Sequence, residues 1–230
     1  MAYSASVGSV LGRVLPLALG AAVNTRVLAT EATLLTSGAQ PLWTAAVFGA
    51  GAAAPLVLIG LVDLVSVHLT VSAVSDEKAL FASSVADAVV GGLLLGAAGW
   101  LVVAKRRGRR EAPLVLVATS PSGPGRTFVR GALVMATDLS TMAMFVTASK
   151  DIAVGRVGPL LEAGLFLVAL GIALTTAWLP PVVFASNPAL ARRLLDPLGR
   201  GVRSHGRTIA AVVLAATGVY LAVRGLVGAS

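Results

Sequence analysis

Cysteine is absent from the chain, so a disulfide framework, a thiolate metal site and a thiol nucleophile are all excluded. Histidine occurs only at His68 and His205, far apart and in predicted loops, which argues against a histidine-based metal cluster. Charge is scarce as well: 12% of the 230 residues are charged, against about 25% in soluble domains. The motifs of soluble catalysis are missing. There is no G-x-S-x-G, no H-E-x-x-H and no P-loop lysine, and "GPGRT" (123–127) lacks the Walker spacing and sits in a turn-rich stretch. An intramembrane hydrolase using Asp138 would have no second motif to pair with it. The expectation is therefore not an enzyme, with no cofactor and no metal.

What the chain has instead is apolar length. Hydrophobic residues make up 57% of it, and the mean hydropathy is +0.90. Stretches of about 20 apolar residues are what a bilayer core demands. These features predict an all-α, polytopic membrane protein. The net charge of +8 comes from basic residues beside apolar spans. That fits the positive-inside rule and anionic lipid headgroups better than a nucleic-acid groove. Met1 to Val23 lacks a basic n-region, and Arg26 follows directly, so it reads as a retained first span rather than a cleaved signal peptide.

Six apolar segments stand out, at about 7–35, 41–66, 80–104, 126–148, 158–186 and 208–228. The first and fifth are long enough to be tilted, broken or partly interfacial. Lys105, Arg106, Arg107, Arg109, Arg110, Arg126 and Arg130 fall at the third connection. Arg192, Arg193, Arg200, Arg203 and Arg207 fall at the fifth, in a stretch that reads as a short amphipathic piece on the membrane surface. Twelve of the eighteen basic residues thus sit at two connections that six spans put on one side. That side is expected to be cytoplasmic, with connections 105–130 and 187–207 inside, both termini outside and the protein in the plasma membrane.

The halves resemble each other. "PLWTAAVF" (41–48) matches "PLLEAGLF" (159–166), and "WLVV" (100–103) matches "YLAV" (220–223), in the same order. The expected organisation is a first three-helix repeat at 1–104, a basic linker at 105–125 and a second repeat at 126–230. An odd number of spans inverts the second repeat relative to the first, an arrangement that recurs in transporters.

Equivalence of spans one and four aligns "AAVNTRVL" (21–28) with "VMATDLST" (134–141). Both interrupt an apolar helix with polar residues that offer the backbone an alternative to the helical ladder, so helices one and four are expected to be broken. A break exposes N–H groups at the start of its second half and carbonyls at the end of its first, which suit anions and cations respectively. The candidate substrate-binding residues are Asn24, Thr25, Arg26, Thr137, Asp138, Ser140 and Thr141. An Arg or Asp at the bilayer centre costs roughly 2.5–3.5 kcal/mol even on a lenient scale. Arg26 and Asp138 therefore need a wet cavity or a partner, and a purely structural ion pair between them is the alternative. Asp138, Glu31 and Asp87 are the candidate proton-coupling groups. "GAGAAAP" (49–55) reads as a small-residue face for close helix contact.

"VGSVLGRVLPLALGAAVNTRVLA" (7–29) and "WLPPVVFASNPALARRLLDPLGRGVRSHGRTIAAVVLAATGVYLAVRGL" (178–226) resemble the Gap family. These are the glycopeptidolipid- and sulfolipid-addressing proteins of mycobacteria and related actinobacteria, within the lysine-exporter (LysE) superfamily. In that family the two breaks usually read like Ser-Pro-x-Pro and Asn-Pro-Lys. Here they read Asn24-Thr25-Arg26 and Ala136-Thr137-Asp138, so a positive charge has moved from the second break to the first. The resemblance implies a plasma-membrane protein that helps move envelope lipids or glycolipids outward, or a small-solute exporter as in the wider superfamily. With Arg26 to hold an anionic group and Asp138, with Glu31 or Asp87, to carry a coupling proton, the leading expectation is export of an anionic envelope lipid, glycolipid or lipid-linked sugar, with membrane lipids around the protein. Two alternatives stand beside it. One is export of a small amino acid or ion. The other is a non-transporting scaffold that docks an envelope-biosynthesis enzyme or a second copy of itself.

Overall fold

The computed structural model describes residues 6–37, 40–73, 87–96, 98–99, 102–103 and 123–229. Among these residues the secondary structure is entirely helical. The helices are α1 (Val7–Ala22), α2 (Thr25–Ser37), α3 (Pro41–Ala73), α4 (Asp87–Gly96), α5 (Pro124–Ala136), α6 (Leu139–Val154), α7 (Pro159–Ala173), α8 (Thr175–Ser186) and α9 (Pro188–Ala229). The basic linker lies outside the described residues up to position 122, as does much of the predicted third span.

Local chemistry explains most of the boundaries. Ser6 caps α1, its side chain accepting from the Ser9 N–H. Four helices open on proline, at Pro41, Pro124, Pro159 and Pro188, where the missing N–H is one the first turn leaves unpaired anyway. Asn187 adds a side-chain cap to α9 by accepting from the Leu190 N–H at 2.9 Å.

Three helix pairs are bent at short breaks: α1–α2 by 50°, α5–α6 by 75° and α7–α8 by 68°. The first two bends fall at Asn24 and at Thr137-Asp138. The third, at Leu174, falls in the fifth apolar segment, whose length allows a break, and adds to the two expected in helices one and four. A difference concerns the stretch 187–207, expected as a separate surface piece. It continues without interruption into the last apolar segment, giving a single helix of 42 residues. The Asn187 cap and Pro188 start that helix, and Pro197 within it, although it removes one helical N–H, does not end it.

By length and composition Pro41–Val67 is long and apolar enough to cross a membrane, and four such spans result if each bent pair is one. Large apolar side chains cover the outside: Leu58, Val62, Leu93, Leu133, Leu160, Leu167, Val212 and Val227 are all exposed. Water does not tolerate so continuous an apolar exterior, and hydrocarbon does. This is a membrane protein.

The core runs along α1, α3 and α6, with Val14, Leu17, Phe48, Leu56, Met135, Phe145 and Ile152 buried. Phe145 and Phe166 meet edge to face with ring centroids 5.7 Å apart. The crossing of α3 and α5 depends on absent side chains. A Cβ on Gly51 would lie 2.0 Å from the Phe128 carbonyl oxygen, and one on Gly131 would lie 2.1 Å from that of Phe48. The "GAGAAAP" face is thus used for backbone-to-backbone packing.

Candidate functional site

The two breaks touch. At the first, α1 ends at Ala22 and α2 begins at Thr25, leaving the last carbonyls of one half and the first N–H groups of the other without helical partners. Asn24, 1% exposed, resolves part of this by accepting the Val27 N–H at 3.0 Å through Oδ1. Its Nδ2 then donates to Thr141 Oγ1 at 3.3 Å, across to the second break, with Met135 Sδ at 3.8 Å as a further acceptor.

At the second break Asp138 is the N-cap of α6. Its carboxylate accepts from the N–H groups of Ser140 and Thr141, and from the Ser140 hydroxyl. The Thr141 hydroxyl lies 3.0 Å from Asp138 Oδ2 and 3.4 Å from the Ala21 carbonyl oxygen. It carries one proton and serves one of these acceptors at a time. Thr141 therefore stands between the carboxylate of its own helix, the orphan carbonyl of α1 and the amide of Asn24.

Four of the seven candidate binding residues, Asn24, Asp138, Ser140 and Thr141, are brought together in this way. The others stand apart. Thr25 is half-buried at the start of α2, and Arg26 is exposed. Thr137 is exposed too, its hydroxyl turned back onto the Leu133 carbonyl at 2.8 Å. Among the described residues Arg26 and Asp138 form no ion pair, so the structural pairing weighed against a site is not the arrangement found. A cleft of about 170 Å³ has neither break in its lining, which is formed by Gln40, Trp43, Thr44, Val47, Pro124 and Thr127.

A family model described as Sap, sulfolipid-1-addressing protein, matches residues 14–227. The chain belongs to that family. No curated protein and no solved structure matches it. The matched range of this sulfolipid-1-addressing family member takes in both breaks and every charged residue described below.

The remaining two candidates lie in different surroundings. Asp87, 3% exposed, opens α4 and is paired with Lys150, and its Oδ2 is 3.4 Å from Arg224 Nη2. Arg224 also clamps Asp151 with both terminal nitrogens, at 2.5 and 2.6 Å, the two-pronged geometry that suits a guanidinium to a carboxylate. Asp63 lies within electrostatic reach of Lys150 and Asp151. This knot ties α4, α6 and α9 together, with Asp63 of α3 near it. Sequence reasoning missed Lys150, Asp151 and Arg224. The available signal was Arg224 as the lone charge of the last apolar segment, with "SKD" just past the fourth.

Glu31 differs from all of these. It is 0% exposed, and neither carboxyl oxygen has a hydrogen-bond partner.

Proposed function

We propose that the chain is a transporter that moves an anionic envelope lipid, glycolipid or lipid-linked sugar outward across the plasma membrane, rather than an enzyme. The observation that carries this reading is the direct Asn24–Thr141 contact between two broken helices, since substrate sites on discontinuous helices are the recurring solution in transporters. The two breaks are electrostatically unlike. The N-terminus of α6 is already occupied by the carboxylate of Asp138. That of α2 is capped by a neutral amide, with Arg26 exposed beside it. An anionic headgroup is favoured at the second of these. The family's description names a sulfolipid, whose acidic sulfur group fits that choice.

Six spans in two inverted repeats are part of the proposal. Helix contacts recur in matched pairs, which supports it: α1 with α7 and α5 with α3, α2 with α8 and α6 with α3, α2 with α3 and α6 with α7. A pseudo-two-fold that exchanges α1–α3 with α5–α8 produces this pattern.

The test compares outward-facing envelope lipids, by mass spectrometry, in a deletion strain complemented with wild type, Arg26→Ala or Arg26→Lys. Export should fall at least tenfold with Arg26→Ala and recover in part with Arg26→Lys. Normal export with Arg26→Ala sinks the headgroup assignment. An effect confined to soluble amino acids or ions would instead favour the small-solute alternative.

A further inference from the structure

We propose that Glu31, the Ala177 carbonyl and the gap beside Gly49 form a proton-binding site that links α2 to α8. The site starts from proline chemistry. α8 carries Pro180 and Pro181 inside the helix, both buried. Neither has an N–H, so the carbonyls four residues earlier, on Thr176 and Ala177, lose their helical donors. Such carbonyls persist in a membrane helix only where a neighbour serves them.

Glu31 is the neighbour. A Cβ placed on Gly49 would stand 3.6 Å from Glu31 Oε1 and 3.6 Å from the Ala177 carbonyl oxygen, so carboxyl and carbonyl flank one small gap. Ionised, Glu31 has only acceptors to offer, and so does the carbonyl. Two acceptors facing each other in a buried site repel. With a proton on the carboxyl, one of its oxygens becomes a donor and the freed carbonyl gains the partner that Pro181 denies it. The Thr176 hydroxyl on the same turn of α8 is also buried without a partner.

Among the described residues no other charged group is bonded to Glu31. α8 carries no titratable residue. On α3 the candidates are Asp63, 14 residues beyond Gly49 and so about 21 Å along the helix, and His68 further on. α5 presents Arg126 and Arg130. α9 carries Arg193, Tyr220 and Arg224 among its described side chains, and the rest of its charged stretch between 192 and 207 lies outside them. Arg26 lies on α2 itself. Among the described residues none of these forms a hydrogen bond or ion pair with either oxygen of Glu31.

α2 is the half-helix that starts at the Asn24 break, and α8 is the half-helix that starts at the Leu174 break. A proton at Glu31 holds these two half-helices together, and its loss sets acceptor against acceptor between them. The proton site stands without reference to cargo, whereas its use as the coupling site rests on the export reading.

Infrared spectroscopy of the full chain in lipid vesicles tests it. The wild type should show a carboxylic-acid stretch that is absent from Glu31→Gln. The band should shift in Pro181→Ala, which returns an N–H to the Ala177 carbonyl. Gly49→Ala should keep the band, because a methyl fits the gap at ordinary contact distance but leaves no room for an ion. Superimposable acid regions in wild type and Glu31→Gln overturn the site. A band that disappears when sodium is added at constant pH overturns it in favour of an alkali cation. Should Glu31→Gln not fold, wild type labelled with 13C-glutamate decides: absence of any isotope-shifted acid band overturns the site, and a shifted band removed by a hydrophobic carbodiimide mapped to Glu31 sustains it. If the band is present and depends on Glu31 while lipid export is normal in the deletion strain, the export reading fails alone.

Discussion

Asn24 on one broken helix and Thr141 on another are joined by a single hydrogen bond of 3.3 Å, and that bond closes the middle of the bundle. Each residue also finishes its own helix end, Asn24 by accepting the Val27 N–H and Thr141 by its contact with Asp138. The same side chains thus serve local helix starts and join distant segments, so separating the breaks costs the Asn24–Thr141 bond beside both helix N-termini.

Thermodynamic coupling between the two positions follows. Asn24→Ala loses a cap, worth about 1 kcal/mol, and the cross-break bond, worth about 0.6 kcal/mol for interhelical bonds in membranes. Thr141→Val loses the cross-break bond as well. A double-mutant cycle read by reversible unfolding in mixed micelles should give a coupling of about 0.6 kcal/mol. Strict additivity of the two changes would mean the bond contributes nothing.

Asp138 and Arg26 should separate cleanly in stability. Asparagine caps about as well as aspartate, so Asp138→Asn should melt near wild type, while Asp138→Ala should lose about 1 kcal/mol. Arg26 is exposed and has no ion-pair partner among the described residues, so Arg26→Ala should stay within about 0.5 kcal/mol of wild type. Thermal unfolding in detergent measures all three. A large loss in Arg26→Ala would reveal a structural role that its surroundings do not suggest.

The first two bends were legible in the sequence because polar residues marked them: an amide and a guanidinium at 24–26, a hydroxyl and a carboxylate at 137–138. The third bend, at Leu174, was legible only from the length of the fifth segment, because no such residue stands there to mark its position. Pro180 and Pro181 come several residues later and lie within α8, so tertiary contacts must fix that corner. The family was legible from the two ends of the chain. The knot of Asp87, Lys150, Asp151 and Arg224 was not, because sequence locates charges at span ends without saying which ends meet. The same limit hid the place of Glu31, whose neighbours Gly49 and Ala177 belong to two other helices.

The α3–α5 crossing predicts a sharp contrast among glycines. Gly51→Ala and Gly131→Ala put a methyl about 2 Å from a backbone oxygen, and backbone cannot step aside as a side-chain tip can. Each should cost about 1–3 kcal/mol, the usual scale for overpacking. Gly92→Ala, on α4 with nothing within 4 Å, should be neutral or slightly stabilising. Equal effects at all three positions, in the same unfolding assay, would refute so close a crossing.

The ion knot should be asymmetric to mutation. Arg224→Ala leaves the Asp151 carboxylate, 2% exposed as a side chain, without its two-pronged donor. Breaking a buried pair in this way costs about 3–5 kcal/mol, whereas replacing both partners with apolar residues of similar size is often neutral. Arg224→Met combined with Asp151→Leu should therefore be more stable than Arg224→Ala alone. Lys150 and Asp87 remain paired in the double variant, which keeps α4 attached to α6. A double variant less stable than either single would show that the knot holds α9 in register by more than charge.

The absence of cysteine makes topology directly measurable, since any introduced thiol is the sole target for labelling. Six spans with twelve basic residues at two connections require Arg107→Cys and Arg203→Cys to react with a membrane-impermeant maleimide only after the membrane is opened. Ser6→Cys and Ser230→Cys should react in intact cells. Arg107 lies in the linker that follows the first proposed repeat and Arg203 lies within the second, so their agreement tests the number of spans between them. If Arg203→Cys labels from outside while Arg107→Cys does not, the number of crossings between them is odd. The second half then cannot be the inverted copy of the first, and the pairing of the two breaks would need another explanation than pseudo-symmetry.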